Sequence, residues 1–290
     1  MGKTLPMKVV TIGDINIDWI IDVNSIDDPI KLLWSEAKES ISTRLGGGGV
    51  IFSVAARDVG FESHLIGKVG NDSFGTFARD TLEKKQVLTH ISVNSKMDTG
   101  KVLIIKDTAD QKAMISHRGA NTSLAPDELD MRLIRGCGLL YVSGYALLEQ
   151  PQSTSALIAV RMAKENGVFT MLDVVPHRVF SLQIPHEYQE CMKLVDSIVL
   201  ELGTARKMLG IPNGNHDLII NELLSSYQLV LLRTDNDTEI VAYRDVREVR
   251  NTGYSQASYK VGYLDRFTAL TLRDFLKQGV ADGHLHSLHP

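Results

Sequence analysis

Cysteine is scarce in this sequence. Cys137 and Cys191 are the only two among 290 residues, too few to build a disulfide framework. Both read as free, buried thiols, and the chain reads as cytoplasmic. An excess of charge of one sign is missing too, because 31 Lys and Arg oppose 35 Asp and Glu, a net of −4. That balance gives no electrostatic case for nucleic acid or an acidic membrane surface as a partner. Long apolar runs are absent: the longest stretch without charge, Gly136 to Leu148, has 13 residues, short of the roughly 18 that a membrane helix needs. Asp14 interrupts the apolar N-terminal stretch, so no secretory signal core is expected. There is no internal repeat, low-complexity tract or Pro/Gly/Ser linker, and residues 1–290 read as one domain.

Two nucleotide motifs are also lacking. In Gly46-Gly47-Gly48-Gly49-Val50-Ile51-Phe52 neither register supplies the third glycine of a dinucleotide fingerprint, since Ile51 or Phe52 stands there. Gly67-Lys68 is followed by Val69 and has Glu62 where a phosphate-binding loop requires its first glycine. His284, His286 and His289 lie in the last seven residues, where chain ends fray, and read as a tail. No metal site of the protein's own is expected.

What is present is alternation. Short β-branched runs at 8–13, 65–69, 139–143, 168–173, 197–200 and 229–232 are interleaved with segments of helical period, the pattern of an α/β fold. Phe74, Phe77, Ala78, Thr81 and Leu82 share one face of a predicted helix over 74–86. A second helix is predicted over 153–166, with Gly167 as a left-handed stop before the strand 168–173. Residues 17–45 and the pair 101–106 and 112–116 break the pattern and predict a small accessory sheet.

Several segments, in order and over most of the chain, resemble the pfkB-type carbohydrate kinases of the ribokinase-like kind. Gly13-Asp14-Ile15-Asn16-Ile17-Asp18 resembles the family's first strand, whose Asn and Asp bind sugar hydroxyls. Alternate strand positions face the same side, so an amide and a carboxylate there can donate to and accept from vicinal hydroxyls; without the resemblance they would read as solvated strand-end residues. Gly46 and Gly47 are similar to the glycines that close on substrate. Residues 65–75, Leu-Ile-Gly-Lys-Val-Gly-Asn-Asp-Ser-Phe-Gly, match a structural strand-to-helix motif, and Arg118-Gly119-Ala120-Asn121 looks like the Gly-Ala-Asn after the lid. Glu149 lies where relatives carry a substrate-binding Glu, or is a helix-start carboxylate. Asp173 with Arg178 is similar to the family's Asp-x-x-x-x-Arg. Gly262-Tyr263-Leu264-Asp265 stands where the family has Gly-Ala-Gly-Asp. The resemblance makes Asp265 the general base and the amides of 262–264 an anion hole at a helix N-terminus, the alternative being that Asp265 only caps the helix.

The resemblance implies a three-layer sandwich with a mainly parallel central sheet and a small β-lid. It implies ATP and Mg2+, and an ATP-dependent phosphotransferase acting on a hydroxyl of a sugar, polyol or nucleoside. The nucleotide side departs from the family pattern. Tyr263 and Leu264 are bulky where the hole should be open, Glu201 and Thr204 replace the Asn and Glu that organise magnesium, and Arg233-Thr234-Asp235 replaces a glycine turn. These changes keep a second reading open, an impaired relative that binds a polyhydroxy ligand without efficient transfer. The absence of a basic cluster on the sugar side argues against an acceptor already carrying phosphate. A homodimer through the lid is expected, because open strand edges and the apolar Trp19, Ile20 and Ile21 call for cover.

Overall fold

The computed structural model describes residues 6–27, 41–109, 111–179, 184–234, 237–253 and 262–281. Thirteen strands are β1 (Lys8–Ile12), β2 (Asn16–Asp22), β3 (Ser42–Gly46), β4 (Glu62–Gly70), β5 (Leu88–Asn94), β6 (Gly100–Lys106), β7 (Lys112–His117), β8 (Leu139–Ser143), β9 (Phe169–Asp173), β10 (Ser197–Glu201), β11 (Leu229–Arg233), β12 (Thr238–Tyr243) and β13 (Val246–Asn251). The α-helices are α1 (Gly48–Asp58), α2 (Ser73–Lys84), α3 (Met131–Arg135), α4 (Gln152–Glu165), α5 (His186–Leu194), α6 (Leu202–Leu209), α7 (His216–Leu224) and α8 (Tyr263–Ala281).

Nine strands form one sheet in the order β13-β12-β11-β10-β9-β8-β1-β4-β5. From β11 to β5 every pairing is parallel, and β12 and β13 add an antiparallel edge. Both faces are covered, and the alternation of side chains shows how. Val10, Ile12, Leu140, Val142, Leu172, Val230 and Leu232 enter one core with α4. Their neighbours Val9, Leu139, Tyr141, Met171, Leu229 and Leu231 enter the other, against Phe52 and Ala56 of α1 and Ala269, Leu272 and Leu276 of α8. Two apolar faces covered by helices make the three layers that the sequence predicts.

Strand order reverses at β1, whose neighbours are β4 on one side and β8 on the other. The crevice beyond the carboxyl ends of those strands is where open α/β sheets take ligands. The chain leaves β1 at Gly13 and enters a second sheet of order β3-β2-β6-β7, the predicted lid; residues 28–40 of its 17–45 segment lie outside the described residues. The strand-to-helix motif fixes the joint between lid and sheet. Asp72 caps α2 by accepting from Gly75 N at 2.7 Å, and also accepts from Thr99 N at 2.8 Å and Thr99 Oγ1 at 2.6 Å at the entry to β6. Burial would push its carboxyl up, but those bonds and the charge of Lys101 outweigh it and hold it low.

The predicted helices 74–86 and 153–166 are α2 and α4, Asp265 lies at the start of α8, and Gly167 does take a positive φ of 69°. One expectation needs correction. Ile20 is buried inside the lid, and Trp19 packs edge-on to Phe74, ring centres 5.8 Å apart, so these side chains are not an open apolar face. Among the described lid residues the large apolar side chains left exposed are Met114 and Ile115 on β7, 64% and 67% exposed, and Ile41 just before β3.

Candidate active site

The crevice is built around glycines that let backbone come close. Gly47, at φ 95°, precedes α1, and a Cβ there would run into the carbonyl of Asp14. Its absence lets Gly49 N donate to Asp14 O at 3.2 Å, so the start of α1 lies against the end of β1. Gly46 pairs with Asn16 in the lid, and a side chain on it would strike the carboxylate of Asp18. Asn16, Asp18, Gly46 and Gly47 are thus brought together.

Asn16 is aimed by Asn121, which follows β7. Asn121 Nδ2 donates to Asn16 Oδ1 at 2.9 Å and to the carbonyls of Ile15 and Arg118 at 3.1 and 2.8 Å, while Asn121 Oδ1 accepts from Ile15 N at 2.8 Å. The Asn16 carbonyl oxygen is therefore engaged, which orients its amide to donate. Asp18 is nearly buried, and burial pushes its carboxyl up to about 6. A carboxyl so placed accepts from two hydroxyls, one on each oxygen, most strongly when it is ionised. Acceptor KM is therefore expected to rise as pH falls through about 6 and to be flat above it; an acid limb that survives in Asp18→Asn would place the titration elsewhere.

At the crevice mouth Arg118 makes a two-pronged pair with Asp14, Nε to Oδ2 and Nη2 to Oδ1, both 3.0 Å, and donates to Tyr145 O at 2.8 Å and to Gln152 Oε1. Gln152 Nε2 closes the ring by donating to Asp14 Oδ1 at 2.9 Å. Glu149 stands over this network, exposed, with Oε1 3.6 Å from Arg118 Nη1. The guanidinium that the sequence did not place on the sugar side is present, but Asp14 and Glu149 oppose its charge. Arg118 and Asn121 belong to the Arg-Gly-Ala-Asn segment, so the family motif was the signal for them; their contacts reach back more than 100 positions and no local pattern shows them.

The other half of the crevice lies under α8. Gly262 takes φ 74° just before the helix, a Cβ on it would come 3.0 Å from Ile51 of α1, and the first-turn amides of 262–264 have no intrahelical acceptor to use. Tyr263 and Leu264 are half-buried there, Tyr263 5.7 Å from the ring of Phe267. Asp265, in the first turn, is half-buried; burial pushes its carboxyl up, and Arg233 opposes the shift. Asp173 at the end of β9 accepts from Tyr141 Oη at 2.9 Å and is pushed up to about 6 by burial, with Arg233 opposing and Asp265 reinforcing. Tyr141 is stacked flat on Phe52 of α1, ring centres 3.4 Å apart.

Thr204 is used by the fold: its Oγ1 accepts from His177 N at 3.1 Å and it is buried. Glu201, at the end of β10, is exposed. This pair does not fit a magnesium-organising role, and among the described residues no group of three His, Cys, Asp or Glu could hold a metal. Asp235 lies outside the described residues. Arg233 is largely buried at the end of β11.

The layers, the lid and the crevice at the reversal of strand order define a ribokinase-like fold. Residues 7–254 match the model of the pfkB family carbohydrate kinases, and the chain belongs to that family. It is 31% identical over 171 residues to the ATP-dependent ribose-1-phosphate kinase of Halopiger xanaduensis, covering 58% of this chain and 54% of that one. It is 29% identical over 172 residues to the 5-dehydro-2-deoxygluconokinase of Clostridium perfringens, covering 57% and 48%. The chain thus spans about half the length of these curated relatives. Among solved structures, the fructokinase of Halothermothrix orenii superposes with a TM-score of 0.75 at 20% identity over 98% of this chain and 100% of that one. The adenosine kinase of Sinorhizobium meliloti does so with 0.76 at 18% over 93% and 88%. No helix among the described residues is long and apolar enough to cross a membrane.

Proposed function

We propose that the protein transfers the terminal phosphoryl group of ATP to a hydroxyl of a sugar, polyol or nucleoside. The observation that carries this reading is Asp265, half-buried in the first turn of α8 behind the positive-φ Gly262, which lies against Ile51 of α1, the helix that Gly47 leads into beside Asp14 and Asn16. Asn16 and Asp18 hold the acceptor by its hydroxyls. Asp265 takes the proton of the attacking hydroxyl as its oxygen bonds to the γ-phosphorus, and the bond from phosphorus to the ADP oxygen breaks. Backbone N–H groups of 262–264 face the charge that develops, as helix N-termini do for anions. Magnesium would travel on the nucleotide phosphates in this family; no step is assigned to it, because Glu201 and Thr204 do not fit it. Since Asp14 and Glu149 balance Arg118, a neutral acceptor suits the mouth better than one bearing phosphate.

Incubation with Mg-ATP and a panel of pentoses, hexoses, polyols and nucleosides, with ribose 1-phosphate and 5-dehydro-2-deoxygluconate as charged members, should give acceptor-dependent ADP with one class. The reading fails if no member does. The half-buried Tyr263 and Leu264 at the hole favour one alternative, a relative that binds its polyhydroxy ligand without efficient transfer; calorimetric binding of a panel member without ADP formation would support that reading instead.

We also propose a homodimer through the lid. Met114 and Ile115 are exposed on the two faces of β7, an edge strand among the described residues. Sedimentation at micromolar concentration is expected to show a dimer that Met114→Lys with Ile115→Lys converts to monomer; a wild-type monomer would refute it.

A further inference from the structure

Arg233 occupies a position where the family pattern has a turn residue, and its contacts are specific. From the end of β11 its Nη2 donates to Thr268 Oγ1 at 3.0 Å, and its Nε lies 3.5 Å from Oε1 of Glu239, its register partner on β12. Thr268 is fully buried on α8, one turn past Asp265, so the two lie on one helix face. A second arginine repeats the arrangement a turn further on: Arg250 Nη1, from β13, donates to Thr271 Oγ1 at 2.9 Å. β11 and β13, on either side of β12, thus hold α8 through hydroxyls on successive turns. Only the first of them is bound to the residue one turn from Asp265.

We propose that Arg233 is a positioning residue for the phosphotransfer base, fixing the first turns of α8 to the sheet while presenting its positive charge to Asp265. This rests on the reading of Asp265 as that base. Among the described residues the charged and titratable groups that act on the carboxyl are Arg233 from β11, Asp173 from β9 with the Tyr141 hydroxyl from β8, and Glu239 from β12; Glu201 acts in turn on Asp173, and Arg250 on Glu239. Glu239 is fully buried and, among the described residues, neither of its oxygens has a hydrogen-bond partner, so its ion pair with Arg233 at 3.5 Å makes the guanidinium answer three carboxylates at once. Remove it, and burial together with carboxylate repulsion favours the protonated form of all three. A protonated Asp265 cannot take a hydroxyl proton. The lysine isostere keeps the charge but lacks the planar fork that reaches Thr268 and Glu239 together.

The test compares Arg233→Gln, Arg233→Lys and, as a control on the other brace, Arg250→Gln. In wild type the acid limb of kcat reports the base. Arg233→Gln should move that limb up by roughly one to three pH units with acceptor KM little changed, Arg233→Lys should leave the limb near wild type with kcat reduced, and Arg250→Gln should lower thermal stability without moving the limb. An unmoved limb in Arg233→Gln, or equal shifts in all three variants, overturns the proposal. A readout independent of turnover separates this from failure of the kinase reading: the Asp265 carboxyl carbon, assigned by its loss in Asp265→Asn, is titrated by NMR and should show the same upward displacement in Arg233→Gln. If wild type transfers no phosphate but that displacement is seen, the pairing stands and only the activity falls; if the resonance does not move, Arg233 does not set this carboxyl. Should Arg233→Gln fail to fold, Thr268→Val cuts the tether from the helix side and should lower kcat several-fold at constant KM, a change in KM alone counting against the proposal.

Discussion

Asp265→Asn should reduce kcat by about 10²–10⁴-fold while acceptor KM stays within a few-fold of wild type. The amide keeps the size of the carboxyl and its place in the first turn of α8 but cannot take the hydroxyl proton, so the loss falls on the transition state alone. Two structural observations make the effect readable. Burial already pushes the Asp265 carboxyl up, so replacing it with a neutral amide does not strip the fold of a strongly held charge. Arg233 keeps Thr268 as a hydrogen-bond acceptor and Glu239 as an ion-pair partner, so the guanidinium is not abandoned in the interior. Asp265→Asn should therefore melt close to wild type. A variant that loses folding instead of turnover would identify Asp265 as a helix cap and remove the base from the mechanism. Steady-state kinetics with a thermal melt decides between the two.

The sequence discloses the frame of this molecule more fully than its electrostatics, and particular residues show why. Runs such as Leu139–Ser143, buried end to end, can only be interior parallel strands, and the period of Phe74, Ala78 and Leu82 can only serve a helix. β5 is missed although Thr89, Ile91 and Val93 alternate with His90, Ser92 and Asn94, because the alternation is short and its residues are mostly half-exposed, and β12 and β13 because Thr238–Asn251 mixes charges with valines on an antiparallel edge. At the site, Asn16, Asp18 and Gly46 are adjacent on neighbouring strands and carried by a motif. Asn121, Asp173 and Glu239 are set by contacts between distant elements: Asn121 fixes Asn16 from 105 positions away. Arg233 was legible as a departure from the family's glycine turn, but its role was not, since Thr268 lies 35 residues further on. The lid carries the same lesson in reverse. Trp19 and Ile20 are as apolar as the sequence says, and Phe74 and the lid's own interior cover them.

Asp18 trades stability for binding, which gives the other large effect. Its carboxyl is raised to about 6 by burial, so ionising it costs the fold free energy that an unfolded chain does not pay. The sign follows directly: stability is complete below the ordinary carboxylate range, declines as pH rises through about 6, and stays lower at neutral pH. Asp18→Asn removes the ionisation and should raise the melting temperature at pH 7 while leaving it unchanged or lower at pH 4. Binding should move the other way. A hydrogen bond to a charged group contributes about 1.5–3 kcal/mol, so losing the carboxylate should weaken acceptor affinity by roughly 10- to 150-fold. Asn16→Ala alone also deprives Asn121 Nδ2 of one of its three acceptors, two backbone carbonyls remaining, so its cost in stability should be small, about 1 kcal/mol. Combined, the two changes should abolish measurable acceptor binding in calorimetry in a protein that still melts cooperatively. Acceptor affinity that survives the double change in a folded protein would move the hydroxyl site away from β2, and with it the reading of the lid as the wall of the substrate pocket.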